Sequence, residues 1–247
     1  GTSIWKSIQR ILPHENTIYL ADSKHAPYGQ KPAEIIQALS VKNTEWLINK
    51  GCKLIVVACN TATTNAISEL RTQYQIPFIG IEPAIKPAAL KSKTQKIGIL
   101  ATKGTLSSAL FQKSRDNLNE AITFIEVEAE GIVPLIEEGA LESDTLFNLV
   151  AHYVQPLINA GIDYLVLGCS HFPYLLPILN KIVPKHISII DSGAAVAKQT
   201  AHILTTNNLL NVSTKKPFHY FYSNTSINTL SILLKEFPHV SLRACDF

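Results

Sequence analysis

Methionine is absent from this chain, so the initiator and the residues that follow it are expected upstream of Gly1. Cysteine is scarce. Cys52, Cys59, Cys169 and Cys245 are too few for a disulfide scaffold in a chain of 247 residues, and no two have the CxxC spacing of zinc ribbons or thioredoxin-like motifs. They read as reduced thiols of a cytoplasmic protein. No apolar run approaches the ~20 residues that span a bilayer, and the first residues lack the basic-then-apolar layout of a signal peptide. No membrane partner is therefore expected. Lysine and arginine form no dense run beyond Lys215-Lys216 and the net charge is only +3, which gives a nucleic-acid partner no support. Charge itself is sparse. With 17% charged residues and a mean hydropathy of +0.14, the composition argues against a disordered or fibrous chain. It fits a well-buried, enzyme-like body of one large domain or two of roughly 100 to 150 residues.

What is present is a repeat. The apolar run Leu54 to Ala58 ends in Cys59-Asn60-Thr61-Ala62, and the run Tyr164 to Leu167 leads into Gly168-Cys169-Ser170-His171-Phe172. The two cysteines lie 110 positions apart, and so do Gly51 and Gly161, each of which closes a helical pattern ahead of its run. Two related halves are expected.

Along the chain, Ile4, Ile8, Ile11 and Leu12 fall on one face of a helix that Pro13 ends. Strands are predicted at 17–21, 54–58, 78–81, 96–101, 123–127, 187–190 and 218–222, besides the second cysteine strand. Helices are predicted between them at 31–50, 61–74, 84–90, 107–119, 144–160, 174–182 and 194–204, with 227–237 in the tail. Pro27 and Gly29 frame a loop, 102–105 is a second loop, 132–138 a loop or short helix, and Pro156 bends its helix. Strands separated by helices of this size predict an α/β fold with parallel sheets, and five successive apolar residues at 54–58 predict a strand covered on both faces.

In open parallel sheets ligands gather beyond the carboxyl ends of the strands. Cys59, Cys169, the Pro27-Tyr28-Gly29 loop, Thr102 and Thr105 fall there. Two such halves facing each other would bring two thiols to one ligand from opposite sides, a geometry suited to moving a proton from one face of a carbon to the other. An unperturbed cysteine titrates near ~8.5, so a thiolate base needs a favourable dipole or an acceptor. The helix expected from Thr61 aims its N-terminus at Cys59, and His171 lies two residues beyond Cys169, within reach as a proton shuttle. Read singly, each of these residues has a plainer use: a cysteine as a small core hydrophobe, Thr102 and Thr105 as turn or capping hydroxyls. Their duplication favours chemistry. Cys52 and Cys245, outside the pattern, are read as non-catalytic.

The segments Pro27-Tyr28-Gly29, Val57 to Ala62, Ala101 to Thr105, Val133 to Gly139, Leu167 to His171 and Ile190 to Gly193 together resemble the glutamate racemases of the aspartate/glutamate racemase superfamily, over nearly the full length. The resemblance implies two pseudo-symmetric lobes, each a mostly parallel sheet flanked by helices, with the active site in the cleft between them. It implies a first lobe of residues 1–93 plus 207–247 and a second of 94–206. It also implies cofactor-independent interconversion of L- and D-glutamate for peptidoglycan, with no metal or pyridoxal phosphate, in an enzyme expected to form a homodimer. Cys59 and Cys169 would be the two bases, Cys59 serving the D- and Cys169 the L-enantiomer. Asn60, Thr61 and Ser170 would hold the α-carboxylate and amino end, with Thr102 and Thr105 nearby. Tyr28 and Gly29, in the loop that Pro27 opens as part of the substrate-binding set, would offer backbone N–H groups to the side-chain carboxylate, and His171 and Glu137 would assist proton transfer and substrate orientation.

Two departures from the family pattern stand out. Ser170 and Phe172 replace the usual threonine and tyrosine, and the serine keeps the hydroxyl. The family's opening strand and its aspartate-bearing loop are expected ahead of Gly1, in agreement with the 110-residue repeat, which puts the counterpart of 97–105 there. Other readings are an aspartate racemase, a single-cysteine decarboxylase or isomerase of the same superfamily, which the paired cysteines disfavour, and a non-catalytic two-lobed amino-acid-binding protein.

Overall fold

Helix α1 (Thr2–Ile11) opens the chain in the computed structural model, which describes residues 1–247. It is followed by β1 (Thr17–Ala21), α2 (Ala33–Asn49), β2 (Ile55–Val57), α3 (Asn60–Gln73), β3 (Phe78–Gly80) and α4 (Ile85–Lys91). The second half runs through β4 (Lys96–Ala101), α5 (Lys103–Leu106), α6 (Ala109–Asp116), β5 (Thr123–Glu128), α7 (Ile132–Glu137), α8 (Asp144–Asn159), β6 (Tyr164–Gly168), α9 (Leu176–Ile182), β7 (Ser188–Ile190) and α10 (Gly193–Thr206). The tail adds β8 (His219–Ser223), α11 (Asn228–Leu233) and β9 (Ser241–Ala244).

All strand pairings are parallel, as the α/β alternation predicts. The second half forms one four-stranded sheet in the order β5-β4-β6-β7, and the first lobe holds the sheets β1-β8-β9 and β2-β3. The repeat is visible in the fold: β3 and β7 are again 110 positions apart. Gly51 and Gly161, which follow α2 and α8, have φ of 78° and 77°, the left-handed conformation that glycine enters without steric penalty and that ends helices.

Burial explains the apolar runs. Leu165, Val166 and Ile97, Ile99 and Leu100 are 0% exposed in the centre of the second sheet. One face carries Leu146, Val150, Val154 and Leu157 of α8, and the other carries Phe111 of α6 with Ala88 of α4. Each such aliphatic side chain contributes roughly 1.5 to 3 kcal/mol on burial. In the first lobe Ile55 is buried, but Val56, Val57 and Ala58 are only partly so. The expected two-sided cover is incomplete there because β2 pairs only with β3 and borders a cavity of about 530 Å³ that continues past β1.

The boundary helices change partners. Ala84, Ile85 and Ala88, at and just before α4, share a cluster with Ile97, Ile99 and Val166 of the second sheet. Val196, Ala197 and Leu204 of α10 share one with Ile4, Ile8 and Leu12 at α1. Thus the helix after the last strand of each half packs on the opposite lobe, across the 93/94 and 206/207 boundaries expected from sequence. Two local differences from the sequence reading also emerge. Residues 103–106 form a helical turn, because Thr105 and Leu106 N–H groups bond to the Thr102 carbonyl. Strand β9 was not expected; it forms by parallel pairing to β8.

Candidate active site

Cys59 sits at the end of the β2 segment and is the N-cap of α3, whose Ala62 N–H points at its Sγ from 3.4 Å. Burial pushes the thiol up, and the Ala62 N–H and Thr61 oppose that rise; the helix N-terminus acts in the same opposing sense. Cys169 follows β6. Its thiol is pushed up to about 12, chiefly by burial.

The Nδ1 of His171 faces Cys169 Sγ at 3.7 Å, while its Nε2 lies 2.6 Å from Glu137 Oε1 at the end of α7. Burial lowers the imidazole and Glu137 partly offsets this. Burial on its own would raise the Glu137 carboxyl, but the hydrogen bond and charge of His171 hold it below the usual carboxylate range. An ionised carboxylate only accepts. Nε2 therefore carries the imidazole proton, and the lone pair of Nδ1 is turned toward the sulfur of Cys169.

Glu137 is also held from the other side of the cleft. Ser23 Oγ donates to its Oε2 at 3.4 Å, and the Thr229 hydroxyl of α11 donates to its backbone carbonyl. Neither residue was singled out in the sequence; Ser23 is close to the Pro27-Gly29 loop, but Thr229 carries no local signal.

The hydroxyls of Thr61, Thr102 and Thr105 form a triangle across the lobes, with Oγ1 separations of 2.9, 3.2 and 3.2 Å. Thr61 and Thr102 border the cavity together with Pro27, Tyr28, Gly29 and Ser170. Thr105, 0% exposed, stands behind them. Gly29 packs so closely on the second lobe that a Cβ there would lie 2.7 Å from Thr102 Cβ. Ser170 Oγ accepts from the Gly1 amino group at 3.1 Å. Asn60 is different. It directly follows Cys59, and its side chain is buried with neither Oδ1 nor Nδ2 hydrogen-bonded to the protein.

The cavity thus collects both cysteines, His171 and Glu137, with Thr61, Thr102 and Ser170 also on its lining. Thiols, an imidazole and a carboxylate gathered in one cavity can give and take protons at a small ligand. No helix is long and apolar enough to cross a membrane.

Residues 2–200 match the family model for Asp/Glu/hydantoin racemase. The chain is 43% identical over 224 residues to the glutamate racemase of Ectopseudomonas mendocina, covering 90% of this chain and 85% of the relative. Against that of Cupriavidus pinatubonensis it is 38% identical over 244 residues, covering 99% and 90%. Among solved structures, a glutamate racemase isoform of Bacillus anthracis superposes with a TM-score of 0.88 at 27% identity, over 100% of this chain and 93% of that one. The Escherichia coli glutamate racemase in complex with L-glutamate and the activator UDP-MurNAc-Ala gives a TM-score of 0.86 at 27% identity, over 99% and 93%. The chain belongs to the Asp/Glu/hydantoin racemase family and stands among its glutamate racemases.

Proposed function

We propose that the chain interconverts L- and D-glutamate by a two-base proton transfer at Cα, with Cys59 and Cys169 on opposite faces of the substrate. The observation that carries this reading is that both thiols, each at the carboxyl end of a repeat-related strand, border one cavity together with the Glu137–His171 pair. Cys169, as thiolate, abstracts the Cα proton of L-glutamate while Cys59, as thiol, delivers one to the other face; the D-enantiomer reverses the roles. A thiol near 12 is a strong base once ionised, yet only about 10⁻⁴ of it is thiolate at pH 8. The ammonium group of the substrate favours the thiolate, and Nδ1 of His171 is oriented to accept the proton that Cys169 releases. Asn60, Thr61 and Ser170 hold the α-carboxylate and amino end, with Thr102 and Thr105 nearby, and the Tyr28 and Gly29 N–H groups receive the side-chain carboxylate. The reaction needs no metal or cofactor. The same reading makes the enzyme a cytoplasmic homodimer, with lobes at 1–93 plus 207–247 and at 94–206, that supplies D-glutamate for peptidoglycan.

The test is deuterium incorporation at Cα of each enantiomer in D₂O by the wild type, Cys59→Ser and Cys169→Ser. Exchange with both enantiomers by the wild type, and loss of racemisation in both variants, is expected. Absence of exchange by the wild type, or racemisation surviving either serine substitution, overturns the reading.

A further inference from the structure

Asp22 follows the last residue of β1, and its side chain is only 9% exposed. Three donors converge on its carboxylate. His25 Nδ1 and Asn224 Nδ2 reach Oδ1 at 2.6 and 2.5 Å, and the Tyr28 hydroxyl donates to Oδ2. Asn224, just beyond β8, also accepts the Lys24 N–H at 2.9 Å, and Asn43 of α2 donates to the Tyr28 hydroxyl at 3.4 Å. The loop that carries Tyr28 and Gly29 is thereby pinned to one carboxylate, which Asn224 ties to the tail, while the Tyr28 hydroxyl is tied to α2 by Asn43.

This network uses up the phenol of Tyr28. Its proton is committed to Asp22, and burial together with that hydrogen bond raises it far above its ordinary range, so Tyr28 is no acid in the reaction. What the loop offers a ligand is its backbone. Its height above the cleft is set on one side by Gly29 packing against Thr102 and on the other by Asp22. Hydrogen bonds to an ionised carboxylate are short and strong, which suits a post that must hold a loop against the pull of an anionic ligand.

We propose that Asp22 is a positioning residue that fixes where Tyr28 and Gly29 present their N–H groups, and so sets the length of amino dicarboxylate that the cleft accepts. The inference rests on the reading that these N–H groups receive the side-chain carboxylate of glutamate. It assigns Asp22 no contact with the reacting carbon.

The test compares Asp22→Ala, Asp22→Asn and Tyr28→Phe with wild type, using both enantiomers of glutamate, aspartate and 2-aminoadipate. For Asp22→Ala, KM for glutamate rises roughly tenfold in both directions, the equivalent of one charge-assisted hydrogen bond, while kcat falls less than about threefold. The preference for glutamate over the shorter and longer substrates falls by a similar factor. Asp22→Asn, which keeps one acceptor oxygen, restores part of both, and Tyr28→Phe gives a smaller KM rise at unchanged Tm. A fall in kcat at constant KM, or a lower Tm with KM and chain-length preference intact, overturns the proposal. If Asp22→Ala does not fold, unchanged KM in both milder variants overturns it equally. Failure of the wild type itself to racemise glutamate is a separate result and removes the underlying reading instead.

Discussion

His171 Nε2 lies 2.6 Å from Glu137 Oε1, and this one bond decides which nitrogen of the imidazole faces Cys169. Replacing the carboxylate by an amide removes that control, because a carboxamide can donate as well as accept. Glu137→Gln is expected to lower kcat by about 10- to 100-fold, with the larger Cα deuterium isotope effect on the direction in which Cys169 is the base. Stopped assays with L- and D-glutamate, protiated and deuterated at Cα, check this.

The burial of Cys169 makes a prediction for the free enzyme. With its thiol near 12, alkylation by iodoacetamide at pH 8 should be about 10³-fold slower than for an unstructured cysteine that titrates near ~8.5. The rate should climb about tenfold per pH unit through pH 10. Peptide mapping by mass spectrometry follows the site directly; a fast reaction at pH 8 contradicts the burial argument.

His219, 2% exposed, accepts or donates through Nδ1 to Thr17 Oγ1 at 2.7 Å. Burial first, and the neighbouring His239 second, lower it from 6.5 to about 4. The unfolded chain binds a proton at this residue below about 6.5, whereas the folded one does not until about 4. Stability is therefore complete above the upper value and is lost as pH falls through that window. Urea midpoints measured at pH 7.5, 6 and 5 should decline, and the decline should flatten in His219→Gln.

Gly104 is a second point, with Gly29, where the lobes approach closely beside the threonine triangle. A Cβ there would lie 2.8 Å from Thr61 Cγ2 and 3.0 Å from the Gly29 carbonyl oxygen. Gly104→Ala must push the Tyr28–Gly29 loop away from α5, at an overpacking penalty of about 1 to 3 kcal/mol. Activity should fall by about tenfold or more, with KM rising, while far-UV circular dichroism stays unchanged.

The strands were legible because their signal is local. The runs at 17–21 and 96–101 coincide with β1 and β4, and the glycines that end α2 and α8 stand where the repeat puts them. The tail was less so: β9 has partly exposed residues and becomes a strand only by pairing with β8. Tyr28 and Gly29 could be singled out as a loop, but Asp22 could not be linked to Asn224, which is 202 positions away.

By itself the sequence determined the α/β alternation and the duplicated cysteine strands, since these depend on residue periodicity and on a repeat that can be counted. Only the tertiary structure decided that α4 and α10 exchange lobes, that Ser23 and Thr229 brace Glu137 and that Asp22 holds the Tyr28 loop. The reason is physical. Helix and strand patterns repeat within a few residues, whereas a hydrogen bond between groups 114 or 202 positions apart exists only after β8 has paired beside β1 or the two lobes have packed, bringing both ends to one place.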